Sequence, residues 1–183
     1  MSQKENNILL ITGSSRPQGN TYTVMDYLSR ELKADLLNLN DFQISYYDYN
    51  HLNKEDDFLA VAEKMTESDI IILGSPVYWY SFSAQMKTFI DRWSDLLTIR
   101  KDLGRKLNGK HLVLVSCGSW EESGKGFENP IEQTAMYMNM HFSGYFHTWL
   151  TDDEDFNDVA VQNRLQRLQD NLRKVLSLSL IHI

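Results

Sequence analysis

The stretch Gly13-Ser14-Ser15-Arg16-Pro17-Gln18-Gly19-Asn20-Thr21 follows directly on the apolar run Ile8-Leu9-Leu10-Ile11, and its residue types suit the binding of an anion. A loop running from a buried strand into a helix presents unpaired backbone N–H groups at the positive end of the helix dipole. Ser14, Ser15, Asn20 and Thr21 add hydroxyl and amide donors, Arg16 adds positive charge, and Gly13 and Gly19 permit tight turns. The expected occupant is a phosphate. An ordinary polar turn with Asn20 or Thr21 as N-cap is the competing reading. The loop lacks the Gly-Lys-Ser/Thr ending of a nucleotide-hydrolysing loop, and it has no cysteine to act as a phosphatase nucleophile.

A second stretch, Ser75-Pro76-Val77-Tyr78-Trp79-Tyr80-Ser81-Phe82-Ser83, places three consecutive aromatics after the apolar run Ile70–Leu73. Folding alone favours small polar residues at a strand end. Planar side chains and backbone amides there could line a flat, partly apolar ring system, and a cap over the core is the alternative. Together the two loops fit a ligand with a phosphate at one end and an aromatic ring at the other. Flavin mononucleotide, FMN, meets that description.

These loops need elements to carry them. Apolar runs at Ile8–Thr12, Asp35–Leu39, Ile70–Leu73 and Leu112–Ser116, with a more aromatic one at Phe142–Leu150, read as parallel strands covered on both faces. Helical spacing links Val24, Met25, Leu28 and Leu32, then Phe58, Leu59, Ala62 and Met65, then Met86, Phe89, Ile90, Trp93 and Leu97. Ile131, Ala135 and Met138 predict a further helix, and Val161, Leu165, Leu168, Leu172 and Val175 a long last one. A β-α unit repeated five times with right-handed crossovers predicts a doubly wound α/β fold. The expectation is a flavodoxin-like three-layer sandwich with strand order 2-1-3-4-5 and ligand above the strand C-termini. Three loops meet there: Gly13–Asn20, Ser75–Ser83 and Gly118–Gly126. The connection Gln43–Asn53, with Tyr46, Tyr47 and Tyr49, is long enough for a lid or contact surface, or else packs over the sheet edge.

The first loop, Ser75-Pro76-Val77-Tyr78-Trp79 and the following Ser83-Ala84-Gln85-Met86-Lys87-Thr88-Phe89-Ile90-Asp91-Arg92 together resemble the NAD(P)H-dependent FMN reductases of the flavodoxin-like superfamily. The resemblance runs from about Ile8 to Asp153. It implies that Ser14, Arg16, Gln18, Asn20 and Thr21 hold the FMN phosphate. It further implies that Pro76, Val77, Tyr78 and Trp79 border the isoalloxazine, and that Gly118, Ser119 and Trp120 close its other side. The implied activity is hydride transfer from NADPH or NADH through FMN to a small acceptor such as a quinone, flavin, nitro or azo compound. A flavodoxin-like electron carrier without nicotinamide turnover is the alternative, and a cofactor-free interaction module a third. No side chain is assigned a catalytic role, because the cofactor carries the chemistry. Some members bear cysteines after the second strand for extra metal or redox centres, and Gln43–Asn53 contains none. The resemblance also implies a homodimer, with the segment around Trp93, Leu96 and Leu97 or Tyr46–Tyr49 as candidate contact.

Composition narrows the remaining classes. A net charge of −7 with no lysine and arginine block disfavours nucleic acid or anionic membrane as partner. The polar N-terminal residues and the absence of a long apolar run predict a cytoplasmic protein. Cys117 is the lone cysteine, which excludes an internal disulfide and reads as a buried strand residue. His51, His111, His141 and His147 are not spaced as a metal set, and no metal site is expected. One domain over residues 1–177 is expected. Leu178-Ser179-Leu180-Ile181-His182-Ile183 resembles translated adapter sequence from a sequencing library and is expected not to be native.

Overall fold

Apolar runs flanked on both sides by amphipathic helices can bury both faces only as the middle layer of a sandwich. A computed structural model describes residues 7–151 and 153–179 in that arrangement. In chain order the elements are β1 (Ile8–Thr12), α1 (Asn20–Leu32), β2 (Asp35–Asn38), α2 (Phe58–Glu67), β3 (Ile70–Pro76) and α3 (Ala84–Asp91). They continue with α4 (Asp95–Thr98), α5 (Lys101–Lys106), β4 (His111–Gly118), α6 (Asn129–Tyr137), β5 (His141–Trp149) and α7 (Val159–Ser179). The strands form one parallel five-stranded sheet in the order β2-β1-β3-β4-β5, as expected from the β-α repeat.

Alternation along each strand divides the core into two layers. Leu9, Ile11, Ile71, Leu73, Leu112 and Leu114 pack with Phe58, Met65, Met86, Phe89 and Ile131 from α2, α3 and α6. Leu10, Ile70, Ile72, Val113 and Val115 pack on the other side with Val24, Met25 and Leu28 of α1 and Val161, Leu165 and Leu172 of α7. β3 and β4 extend past the predicted runs to Pro76 and Gly118, because Ser75–Pro76 pairs with Ser116–Cys117. Polar strand ends of this kind escape a search for apolar runs.

The single helix predicted through Met86–Leu97 is instead α3 followed by a tight 3-10 turn at Arg92–Ser94 and the short α4. The turn coincides with a buried ion pair. Arg92 is fully buried, with Nε 2.8 Å from Asp95 Oδ2 and its guanidinium 4.8 Å above the Phe58 ring. Nη1 also donates to Asp56 Oδ2 and, at 3.1 Å, to the Ser45 carbonyl. Arg92 thereby pins the long connection between β2 and α2 against α3. The connection is thus anchored against α3 at Ser45 and Asp56, while its Tyr46 and Tyr49 rings stay exposed.

Trp93 and Leu96, offered as contact residues, are buried in the core, and only Leu97 of that group is substantially exposed. The last helix runs through Ser179, further than the apolar pattern indicated. Residues 180–183 of the adapter-like tail lie outside the described residues. No helix among the described residues is long and apolar enough to cross a membrane.

Candidate active site

The loop after β1 is shaped by close backbone approach. Gly13 N–H donates to the Gly74 carbonyl at 3.0 Å. A Cβ on Gly13 would stand 3.1 Å from the Met86 amide nitrogen and 3.0 Å from Leu39 Cδ1, so only glycine passes there without displacement. Downstream, Gly19 is the N-cap of α1, and no side chain caps the helix. Thr23 N–H makes the first helical bond, to the Gly19 carbonyl at 3.1 Å. The N–H groups of the preceding turn, Asn20 to Tyr22, thus end at the loop without an intrahelical partner. This removes the competing reading in which Asn20 or Thr21 caps the helix. Ser14 and Thr21 are both buried, and Arg16 N–H bonds to Ser14 Oγ at 3.2 Å.

Two asparagines brace this loop from beneath. Asn38 Nδ2 donates to the Pro17 carbonyl at 2.8 Å, and Asn40 Nδ2 to the Ser14 carbonyl at 2.9 Å. Ser83 ties the first loop to the second. Its hydroxyl donates to the Gly13 carbonyl at 2.8 Å and accepts from Met86 N–H at 3.1 Å as the cap of α3, and its own N–H reaches Ser75 Oγ at 3.1 Å. Ser83 belongs to the stretches singled out in sequence, whereas Asn38 and Asn40 carry no motif. A polar residue within or directly after an apolar run, as at Asn38 and Asn40, is the signal that could have marked the two asparagines.

The aromatic loop is a tight turn. Tyr78 and Ser81 exchange backbone bonds of 2.9 and 3.0 Å, and between them Trp79 and Tyr80 take φ of +48° and +62°. Bulky residues in the left-handed region cost about 1–2 kcal/mol each, and such strain clusters at ligand sites. The turn holds Tyr78 at the first loop, with its hydroxyl 3.5 Å from Ser14 Oγ, and leaves Trp79 95% and Tyr80 78% exposed. The third loop passes over the Tyr80 ring. A Cβ on Gly124, at φ +94°, would lie 2.9 Å from Tyr80 Cδ1.

Between the loops lies a cavity of about 300 Å³ lined by Ser14, Arg16, Asn20, Thr21, Pro76, Val77, Tyr78, Gly118 and Ser119, with Gly19 and Cys117 completing the wall. Gln18, Trp79 and Trp120 of the predicted set do not line it, and all are solvent-exposed. A larger concavity of about 520 Å³ sits at the opposite end of the strands beside Lys33, Asp35 and Lys64, far from these loops. The cavity fits a flavin phosphate. Buried hydroxyls and an uncapped helix N-terminus form one end, and the Pro76–Tyr78 backbone with the Tyr78 ring forms the other. Burial pushes the Cys117 thiol up to about 12, so it stays protonated and is not a nucleophile. Among the described residues no group of His, Cys, Asp and Glu is placed to hold a metal ion.

Beneath the third loop stands a polar group unmarked by the loop motifs. Ser116 Oγ lies 2.7 Å from both Tyr145 Oη and His147 Nδ1, and His147 Nε2 lies 2.8 Å from the Trp120 carbonyl. Burial lowers the His147 pKa against the opposing bond to Trp120, so the ring is neutral. Burial raises that of Tyr145 despite its hydroxyl partners Ser116 and Ser123.

Known proteins resemble this chain in sequence and in fold. The NADPH-dependent FMN reductase family matches residues 6–151. YwqN of Bacillus subtilis, whose name describes an NAD(P)H-dependent FMN-containing oxidoreductase, is 27% identical over 148 residues, 75% of this chain and 82% of that protein. An iron-sulfur flavoprotein of Methanocaldococcus jannaschii is 32% identical over 146 residues, 73% of this chain and 72% of its own. Among solved structures, the Trp repressor binding protein from Bacillus subtilis superposes with a TM-score of 0.68 at 23% identity, covering 88% of this chain and 97% of that one, a likeness of fold.

Proposed function

The chain belongs to the NADPH-dependent FMN reductase family, and from that premise we propose that it passes electrons from NAD(P)H, through FMN held between the three loops, to a small acceptor of the quinone, flavin, nitro or azo class. The observation that carries this reading is the single cavity in which the uncapped N-terminus of α1, with buried Ser14 and Thr21, faces Pro76–Tyr78 across about 300 Å³.

In this reading Ser14, Arg16, Asn20 and Thr21 bind the phosphate through hydroxyls, guanidinium and helix N–H groups. Gln18 stands exposed at the rim of that loop and reaches the phosphate only if the loop closes on it. Pro76, Val77 and Tyr78 border one side of the ring, and Gly118 and Ser119 the other, where backbone N–H groups can stabilise negative charge. Trp79 and Trp120 are exposed and do not line the cavity, and in this reading they offer planar faces to a substrate approaching it. Bound FMN supplies the hydride chemistry, so no protein acid is required. The iron-sulfur centre in the archaeal relative's name does not transfer: a cluster takes several thiolates, and this chain has Cys117 alone.

We take residues 1–177 as one flavin-binding domain, active in the cytoplasm as a homodimer. With Trp93 and Leu96 buried, exposed Leu97 and the Tyr46 and Tyr49 rings are the better candidates for the contact.

Steady-state oxidation of NADH and NADPH by FMN-loaded protein, with a small quinone as acceptor, tests the function. Turnover with at least one nicotinamide is expected. Tight FMN binding with no turnover on either would leave only the electron-carrier reading.

A further inference from the structure

Ser116, Tyr145 and His147 are polar exceptions on an apolar face of the sheet. Leu112 and Leu114 precede Ser116 on that face of β4, and Phe127 stacks on the Tyr145 ring at 5.7 Å. None of the three lines the candidate cavity. Their hydrogen bonds nevertheless form a line that leaves the sheet and ends on the loop bordering it: Tyr145 Oη to Ser116 Oγ, Ser116 Oγ to His147 Nδ1, and His147 Nε2 to the Trp120 carbonyl.

The direction of that line follows from its last member. A carbonyl only accepts, so Nε2 carries the ring proton. In the neutral imidazole Nδ1 must then accept, so the Ser116 hydroxyl donates to it. The Ser116 oxygen in turn accepts from the Tyr145 hydroxyl. Loop and ring also meet closely, since a Cβ on Gly118 would come within 3.2 Å of His147 Cε1. The Trp149 ring lies 6.5 Å from the imidazole with 15° between their planes.

We propose that His147 is a positioning residue for the pocket: its Nε2–H tethers the Trp120 carbonyl, and Ser116 and Tyr145 hold the imidazole in the tautomer that can do so. Gly118 and Ser119, which line the cavity, immediately precede the tethered residue. Slack in the tether therefore reaches the wall of the pocket through at most two residues of backbone. An apolar side chain would fill the same space beneath the loop but would not fix the carbonyl. The inference rests on the reading of this loop as one wall of the flavin site.

Amide hydrogen exchange of the apo protein over residues 118–124, together with FMN affinity from flavin fluorescence, tests it. His147→Ala is expected to speed exchange in that segment about fivefold and to weaken FMN binding by a similar factor, the size of one lost hydrogen bond. His147→Gln keeps an N–H donor at matching reach and should recover most of both effects. Ser116→Ala removes the donor to Nδ1 and the acceptor of the Tyr145 hydroxyl while leaving the imidazole in place, and it should fall between, which keeps the test available from a smaller change in volume. Unchanged exchange in His147→Ala overturns the tether. Faster exchange with unchanged FMN affinity, in a protein whose wild type binds FMN, overturns its link to the pocket. Wild-type protein that fails to bind FMN overturns the flavin reading itself, and the exchange data still decide the tether.

Discussion

Thr21 offers the most direct test of the phosphate site at the scale of one residue. Its side chain is buried at the first turn of an uncapped helix, where a hydroxyl can serve a bound anion and a methyl cannot. Thr21→Val keeps the shape and removes the hydroxyl. FMN affinity should fall by about 1.5 kcal/mol, roughly tenfold, while riboflavin, which lacks the phosphate, binds the variant and wild type alike. Fluorescence titration with both flavins checks this, and an equal loss for the two would move Thr21 away from the phosphate. Ser14, Arg16, Asn20 and Thr21 were legible as candidate donors from residue type, in a glycine-punctuated polar loop that by itself suits an anion and an ordinary turn alike. His147 was not legible. A histidine in a half-buried strand has the same appearance in sequence whether it fills space or tethers a loop, and the difference lies in Ser116 and Trp120, residues 31 and 27 positions away.

Among elements, the connection between β2 and α2 and the α4–α5 corner show how packing overrides local pattern. Burial alone would raise the Asp56 carboxyl, but the Arg92 guanidinium and the N–H groups of Ser45 and Phe58 more than offset it and hold its pKa below the ordinary range. A carboxylate depressed on folding contributes stability that is fully present above its unfolded pKa, about 3.9, and is lost as pH falls through the folded value. The contribution of Asp56 to the anchoring of Ser45–Asp57 should therefore persist from neutrality down to about 4 and be lost below it. Proteolytic sensitivity of this segment to an acid-active protease, measured as pH is lowered, checks the sign. At the corner, a Cβ on Gly104 would stand 2.2 Å from the Leu96 carbonyl oxygen, a backbone atom that cannot rotate away. Gly104→Ala should cost roughly 1–3 kcal/mol or more, visible in a denaturant titration. The helical period through Met86, Phe89 and Trp93 marks residues that are buried, but it runs on to Leu97, which is exposed, and it carries no sign of the break at Arg92. The break coincides with the pairing of Arg92 and Asp56, which meet only after the long connection has folded back.

The whole molecule joins three loops that are separate in sequence, and it should respond to the cofactor as a unit. A ligand that binds only the folded state stabilises it in proportion to its saturation. FMN at about a hundred times its dissociation constant adds close to 2.7 kcal/mol, or roughly 5–10 °C in Tm for a chain of this size. Thermal melts with and without FMN check this. Absence of any shift at saturation would mean that the cavity does not close on the flavin.

From the sequence alone, the strand order and the positions of the ligand loops could be derived. Alternating apolar strands and amphipathic helices admit one economical parallel topology, and that topology sends those loops to one edge of the sheet. The two loop motifs likewise determined the kind of ligand, since donors and aromatic rings are properties of residue types. What only the tertiary structure decided are the relations between distant residues. These include the absence of a cap on α1, the strained turn at Trp79–Tyr80, the clamp of Arg92 on the long connection, and the tether from His147 to Trp120. Each depends on distances and angles between groups far apart in the chain, and residue type and spacing constrain those only after the sheet has brought the groups together.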